Sequence, residues 1–396
     1  MSVATQPMPK PPAAKIHDML ADASHDEVAA ENFVVDLKAF LQQQVEPVIA
    51  ARLTEEVVPA LEREGAKVDH VSARRRLETM PDYQAWVVLA RTAQDLMWDY
   101  VGACVDRQID TLVEKARVTS PRGSLRLDPT LEVPRYLSAI DTHRMPGSYF
   151  AEYRPDDVRQ GAVFERAAVT YHRGRNGSQM NDLRGHTVMA HLFEVYPDVA
   201  PDAVLEIGCT IGNSICAVAG YLPDSEIHGI DIGAPVLRYA HARAEALGQT
   251  VHFSQQNGEA TDFPDASFDL IYSCAMLHET SHRAVRNITR ETWRLLKPGG
   301  VVIHLEVPAR YEDITLWRQV RADFEVMHNS EPFWRGACKT DFAAVHAEAG
   351  FTDIHCGYQK TAHKAARGAA PGFSREAGPA YVCWYIASAR KPKVAE

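Results

Sequence analysis

Apolar and polar residues alternate with two different periods along this chain, and the change of period divides it. From Ser24 to about residue 117 the pattern is helical. Ser24-His25-Asp26-Glu27 reads as a capping box opening the first helix. Between about 82 and 116, Trp86, Leu89, Ala93, Leu96, Met97, Tyr100 and Cys104 recur at i, i+3, i+4 and i+7 spacing, an apolar stripe along one face of a helical segment. Such a stripe serves a core or a dimer interface equally. From about 118 to 165 the chain is rich in Pro, Arg, Tyr and turn residues and follows no period, so it reads as an irregular connection or a cap over a substrate site.

Beyond a helical stretch at about 181–196, short apolar runs alternate with helical segments, the signature of βαβ units and a mostly parallel sheet. Strands are expected at Ala203–Ile207, Glu226–Ile230, Val251–Ser254, Phe268–Ser273, Val301–Leu305, Thr352–Cys356 and Tyr381–Ser388. The last two, joined by a Gly/Ala/Pro-rich stretch, are expected to pair antiparallel at the sheet edge. The predicted fold class is therefore α/β: a Rossmann-like, seven-stranded, mostly parallel sheet with helices on both faces, preceded by an all-α N-terminal domain. The expected division is a disordered tail over 1–15, a helical domain with its irregular cap over 16–165, and the α/β domain over 166–396.

Composition narrows the function. The chain has 396 residues, enough for two cores, with 46% hydrophobic and 24% charged residues, as in ordinary globular proteins. A formal net charge of −10 opposes nucleic-acid binding, which needs clustered Lys and Arg against phosphate. No apolar run approaches the length of a membrane span and the first 15 residues lack the apolar core of a secretory signal, so a cytoplasmic location is expected. The seven cysteines show no C-x-x-C spacing, so neither a disulfide framework nor a zinc ribbon is indicated.

The first strand of the sheet runs into Glu206-Ile-Gly208-Cys209-Thr-Ile-Gly212, followed by a helix start at Asn213. Gly208 permits a tight turn and Gly212 a close backbone approach to a ligand, at the carboxyl edge where open α/β sheets bind ligands. The second strand delivers Asp231, an acid able to accept from both hydroxyls of a ribose. Nicotinamide dehydrogenases share that much. Here, however, the third strand is followed by Asn257-Gly258-Glu259-Ala260, then Phe263-Pro264 and Asp265-Ala-Ser-Phe-Asp-Leu-Ile271, and the fifth strand is preceded by Leu295-Leu-Lys-Pro-Gly-Gly300. In this order, residues 200–310 resemble the class I S-adenosylmethionine-dependent methyltransferases, in particular the ubiquinone/menaquinone C-methyltransferase-like, small-molecule branch.

The resemblance implies S-adenosyl-L-methionine as cofactor and a small-molecule methyl acceptor. It implies that Glu206, Gly208, Cys209 and Gly212 surround the methionine end, that Asp231 with Ile232 holds the ribose, and that Asn257, Gly258, Glu259 and Ala260 flank the adenine, with Ser273 at the same edge. One departure is Thr210, which stands where the family's middle glycine usually sits.

A hydroxyl or carbon acid needs to lose a proton on methylation, so a base is sought next to the cofactor turns. His278, directly after the fourth strand, is the candidate general base or a structural histidine, and Glu279 either orients it or polarises the acceptor. Tyr171, His172 and Glu306 are further polar candidates, and the aromatic-rich segment 311–339 is expected to hold substrate-binding material. His278-Glu-Thr-Ser-His282 also spells H-E-x-x-H, the zinc metalloprotease motif. That motif requires both histidines on one face of a long helix, and a zinc metalloenzyme has no use for the flanking cofactor turns. The alternatives are thus a nicotinamide-dependent oxidoreductase or a zinc enzyme, neither of which accounts for residues 257–268; no metal ligand is assigned. The N-terminal helices are expected to cap the site or to form a homodimer.

Overall fold

The structure is a computed structural model and describes residues 17–367, 373–374 and 376–393, so the expected tail over 1–15 lies outside the described residues. Its centre is a nine-stranded sheet built from β1 (Ser124–Arg126), β2 (Ala203–Ile207), β3 (Glu226–Asp231), β4 (His252–Gln255), β5 (Phe268–Cys274), β6 (Leu296–Glu306), β7 (Thr352–Lys360), β8 (Phe373–Ser374) and β9 (Cys383–Arg390). The order is β1-β4-β3-β2-β5-β6-β9-β7-β8. Strands β1 to β6 pair parallel, and β9 runs antiparallel to both β6 and β7. All seven strands expected from the apolar runs are present, and the α/β class stands. Two short strands extend the sheet. The antiparallel pairing of the last long strands is as expected, but β9 inserts between β6 and β7, because its Trp384, Ile386, Ala387 and Ala389 are all buried and an edge would leave them wet.

Burial on both faces explains why the parallel strands read as unbroken apolar runs. Val204 packs on one face with Met189, Leu192 and Ile215, whereas Leu205 and Ile207 pack on the other with Val285 and Ile288.

In the N-terminal part, Ser24 and Glu27 form the predicted capping box. The helical run from His25 to Arg63 contains two π turns, Leu41–Val45 and Leu53–Val57. Each is followed at once by a proline near a helix start, Pro47 and Pro59. A proline ring cannot donate and collides with the preceding turn, and a widened turn accommodates it without ending the helix. The long helix Pro81–Asp106 buries Trp86, Ala93, Met97 and Cys104 of the predicted stripe, but Leu89 sits on the surface, 40% exposed beside Val88. Among the described residues, no helix is long and apolar enough to cross a membrane.

The helical part is tied to the sheet. β1 adds to the sheet beside β4, and the helix Arg159–His172 carries a buried carboxylate, Glu165, against the helix Ala234–Ala246. Arg243 Nε donates to Glu165 at 2.6 Å, the Tyr239 hydroxyl donates to its other oxygen, and His17 Nε2 lies 3.0 Å away. Burial opposes ionisation of Glu165, but Arg243, His17 and Tyr239 outweigh it and hold its pKa at about 2. Glu165→Gln strands a fully buried guanidinium and is expected to cost about 3–5 kcal/mol of stability, read from the urea midpoint. Because the folded pKa is depressed, the contribution of Glu165 is present at neutral pH and lost as pH falls from the unfolded carboxylate range toward 2. The gap between wild type and Glu165→Gln should therefore narrow in acid.

Candidate active site

The carboxyl ends of β2, β3 and β5 open onto a cavity. On one side stands the turn after β2. Gly208 and Gly212 have φ of 74° and 71°, the left-handed region where a side chain is strained. Gly208 N and Cys209 N both donate to Ile230 O, which locks the turn to β3. Thr210 has a φ of 44°, so a threonine adopts the conformation that glycine would adopt freely. Asp231 braces it: one carboxylate oxygen accepts from Thr210 N and the other from Gly233 N, both at 3.0 Å.

Glu206, Gly208, Asp231, Ile232, Asn257 and Gly258 line this side of the cavity. Burial pushes Glu206 up to about 8, against a hydrogen bond from the Tyr272 hydroxyl at 3.2 Å. Burial likewise pushes Asp231 up to about 6, against the two backbone donors. Neither acid makes an ion pair among the described residues. Arg184, on the same wall, carries a buried Nε without a hydrogen-bond partner.

Opposite, the cavity is walled by Trp98, Tyr149, Phe164, Tyr171, His278 and Trp334, with His143 and Glu279 among its polar groups. Glu279 Oε1 accepts from the Tyr149 hydroxyl at 2.9 Å and lies 3.0 Å from His143 Nε2. His143 Nδ1 reaches Glu331 Oε1 at 2.9 Å. His278 Nδ1 lies 2.7 Å from Glu306, whose Oε1 accepts from the backbone of Met276 and Leu277. Burial works against charge on both imidazoles, yet the adjoining carboxylates raise them, His143 well above the usual histidine range. Burial also opposes ionisation of Glu279, and His143 reverses it, holding Glu279 below the ordinary carboxylate value.

Residues 204–300 match the family model described as a methyltransferase domain. Among curated relatives, the fatty-acid O-methyltransferase of Mycolicibacterium smegmatis is 27% identical over 149 residues, 37% of this chain and 52% of that protein. The demethylmenaquinone methyltransferase of Thermus thermophilus is 29% identical over 109 residues, 28% of this chain and 49% of its own. The trans-aconitate 2-methyltransferase of Methylobacterium radiotolerans is 34% identical over 113 residues, 28% of this chain and 41% of its own. The chain spans about half the length of these relatives or less. Residues 204–300 are a class I methyltransferase domain.

Within that domain several of the expected residues lie outside the cavity lining. The Cys209 side chain is buried in the core and packs toward Gly229, away from the cavity. Ser273 points to the opposite face of β5 from Tyr272 and Cys274, as strand alternation requires, and its hydroxyl pairs with His304 Nδ1 at 2.8 Å. Gly212 starts the helix Asn213–Tyr221 and faces the Phe253 ring. Glu259 accepts from the Tyr136 hydroxyl at 3.1 Å and from Asn287 at 2.8 Å, outside the cavity lining, and Ala260 is exposed. His278 is buried between two acids, its Nδ1 2.7 Å from Glu306 and its Nε2 3.7 Å from Glu331 Oε2. The H-E-x-x-H segment breaks at Ser281, whose hydroxyl caps a new helix beginning at His282, so its two histidines do not share a helix face. Tyr171 and Glu306 both belong to the polar network, and the His172 side chain lies outside the described residues.

Sequence reading missed His143, Tyr149 and Glu331. The first two lie in the stretch without a period, and Glu331 in the aromatic-rich segment, where composition announces a pocket but no particular acid.

Thr210 supplies a test of the turn. The left-handed region costs a non-glycine residue about 1–2 kcal/mol, and glycine gives back about 0.5–1 kcal/mol through the unfolded chain. Thr210→Gly is therefore expected to leave stability unchanged or raise it by up to about 1 kcal/mol in urea denaturation. A loss of that size would assign the Thr210 side chain a role of its own.

Proposed function

We propose that the protein transfers a methyl group from S-adenosyl-L-methionine to a small organic acceptor. The observation that carries this reading is the pair of desolvated acids, Glu206 and Asp231, on the cofactor wall without a cation in contact. A ligand that brings donors to both satisfies them, and S-adenosylmethionine has donors suited to each: ribose hydroxyls for Asp231 and an α-ammonium for Glu206. Arg184, with its unpartnered Nε, suits the α-carboxylate. When bound, this co-substrate supplies an electrophilic methyl group on a sulfonium. The chain's own part is to orient the two molecules in line and to exclude water, which accounts for much of the acceleration of such a displacement.

In this reading residues 166–396 form the methyltransferase domain and residues 16–165 the cap that completes its acceptor side. Seven unpaired cysteines accord with a cytoplasmic setting, and the exposed Phe33, Phe40 and Val48 of the N-terminal helices accord with a homodimer.

Asp231→Asn is expected to weaken S-adenosylhomocysteine binding about tenfold or more, since a hydrogen bond to a charged group contributes about 1.5–3 kcal/mol; unchanged affinity in calorimetry would remove Asp231 from the site. Glu206, at about 8 without ligand, is largely protonated at neutral pH and must ionise to meet an ammonium. Binding of S-adenosylmethionine near pH 7 should therefore release protons, and affinity should rise as pH increases toward 8. Calorimetry in two buffers of different ionisation enthalpy reads the proton count directly, and Glu206→Gln should abolish the buffer dependence.

A further inference from the structure

The acceptor end of the cavity offers a carboxylate whose two oxygens are treated differently. Glu279 Oε1 is clamped by His143 and Tyr149, whereas Oε2 makes no hydrogen bond among the described residues, and Glu279 lines the cavity. The imidazoles nearby are already matched. His143 lies between Glu279 and Glu331, and His278 lies between Glu306 and Glu331. Two imidazoles thus face three carboxylates, with Asp231 a fourth acid close enough to feel Glu279. The surrounding walls are aromatic: Trp98, Phe164, Tyr171 and Trp334.

His143 is delivered to this position under strain. It has φ 56° and ψ 18°, and Arg144 follows with φ 59°. Two consecutive non-glycine residues in the left-handed region persist only where their surroundings over-determine them. Here the helix Pro81–Asp106 does so: Trp98 Nε1 and Gln94 Nε2 both donate to His143 O, at 2.8 and 3.0 Å, and Asp95 holds the Arg144 guanidinium at 2.6 and 2.8 Å. The strain turns the imidazole toward Glu279.

We infer that the acceptor is an uncharged aromatic compound whose methylated heteroatom carries a proton, that Glu279 Oε2 receives that proton, and that His143 is the positioning residue that holds Glu279 ready for it. The inference rests on the methyl-transfer reading. As the heteroatom's lone pair bonds to the methyl carbon, its proton passes to Oε2, and the electrons of the broken carbon–sulfur bond return to sulfur, turning sulfonium into thioether. A carboxylate acceptor, by contrast, would set one anion against another beside imidazoles that already face acids.

Calorimetry tests this with 2-naphthol and 2-naphthoate titrated into protein saturated with S-adenosylhomocysteine. Naphthol is expected to bind at least about tenfold more tightly than naphthoate, and Glu279→Gln to narrow that gap about tenfold while S-adenosylhomocysteine still binds. Equal or tighter binding of naphthoate, no naphthol binding at millimolar concentration, or a gap unchanged in Glu279→Gln overturns the inference. Failure of S-adenosylhomocysteine to bind in the first place overturns the methyl-transfer reading instead. For His143, the readout is the pH profile of turnover with whichever hydroxyl-bearing aromatic is methylated, or of naphthol binding. With Glu331, His278, Glu306, Tyr149, Tyr171 and Asp231 unchanged around it, His143→Gln removes the cation that keeps Glu279 ionised. The acid limb should then move up by about a unit or more. A profile that keeps its limb while losing only amplitude assigns His143 a merely structural part.

Discussion

An ionised carboxylate survives in a chamber with little water only where another group supplies compensating charge, and around this cavity that requirement decides which parts of the chain must come together. Glu279 belongs to the turn after β5, but the imidazole that keeps it ionised comes from His143, 136 residues earlier in the chain. Glu165 and Arg243 repeat the arrangement below the cavity, joining the helix Arg159–His172 to the helix Ala234–Ala246. The N-terminal part is consequently no detachable appendage: it contributes charge to the site, a strand to the sheet and the aromatic wall opposite the cofactor turns. Removing it would leave Glu279 buried without the imidazole that hydrogen-bonds it.

The same requirement divides the cavity into two chemically different halves. At the acceptor end, three carboxylates share two imidazoles, and Glu279 Oε2 stays open to the cavity. At the cofactor end, Glu206 and Asp231 have hydrogen bonds but no cation in contact, and burial raises both. Two acids left without a cation favour a ligand that brings hydroxyl donors and an ammonium to them, with Arg184 left for a single carboxylate, and they disfavour one that sets a pyrophosphate beside them. That distinction separates the methyltransferase use of a glycine turn and a distal acid from the dinucleotide use of the same local structure, and it is electrostatic rather than topological.

How much of this was legible follows from how local each signal is. The strands of a doubly covered sheet advertise themselves through unbroken apolar runs, so β2 to β7 and β9 were readable, and so were the glycine turn and Asp231, whose spacing is set by one βαβ unit. Side-chain direction at a strand end was not. Ser273 was expected at the cavity, but one step of alternation turns it to His304, and a strand buried on both faces carries no polar-apolar rhythm to reveal which parity is which. Glu259 lies outside the lining for a different reason: Tyr136, from the segment without a period, and Asn287, from the helix after the turn, donate to its oxygens. His143 and Glu331 pair across 188 residues, a relation that no local window contains.

His278 illustrates how the network redistributes roles among residues that look alike in sequence. Its Nδ1 is committed to Glu306, and the same carboxylate accepts from the backbone of Met276 and Leu277, so the imidazole, the end of β6 and the turn after β5 form one unit. Both of its nitrogens face carboxylates, Nδ1 Glu306 at 2.7 Å and Nε2 Glu331 at 3.7 Å, and these acids favour the protonated imidazole, which has no lone pair to offer a substrate proton. Its edge-to-face contact with Trp334, centroids 4.8 Å apart, shows what it does offer. It fixes the aromatic wall against the turn that carries Glu279, and the residue next to it in sequence, not His278 itself, presents the open oxygen. Proton acceptance at this site therefore passes from the more basic side chain to the one whose remaining lone pairs still face the cavity, because geometry limits which group can act before basicity ranks them.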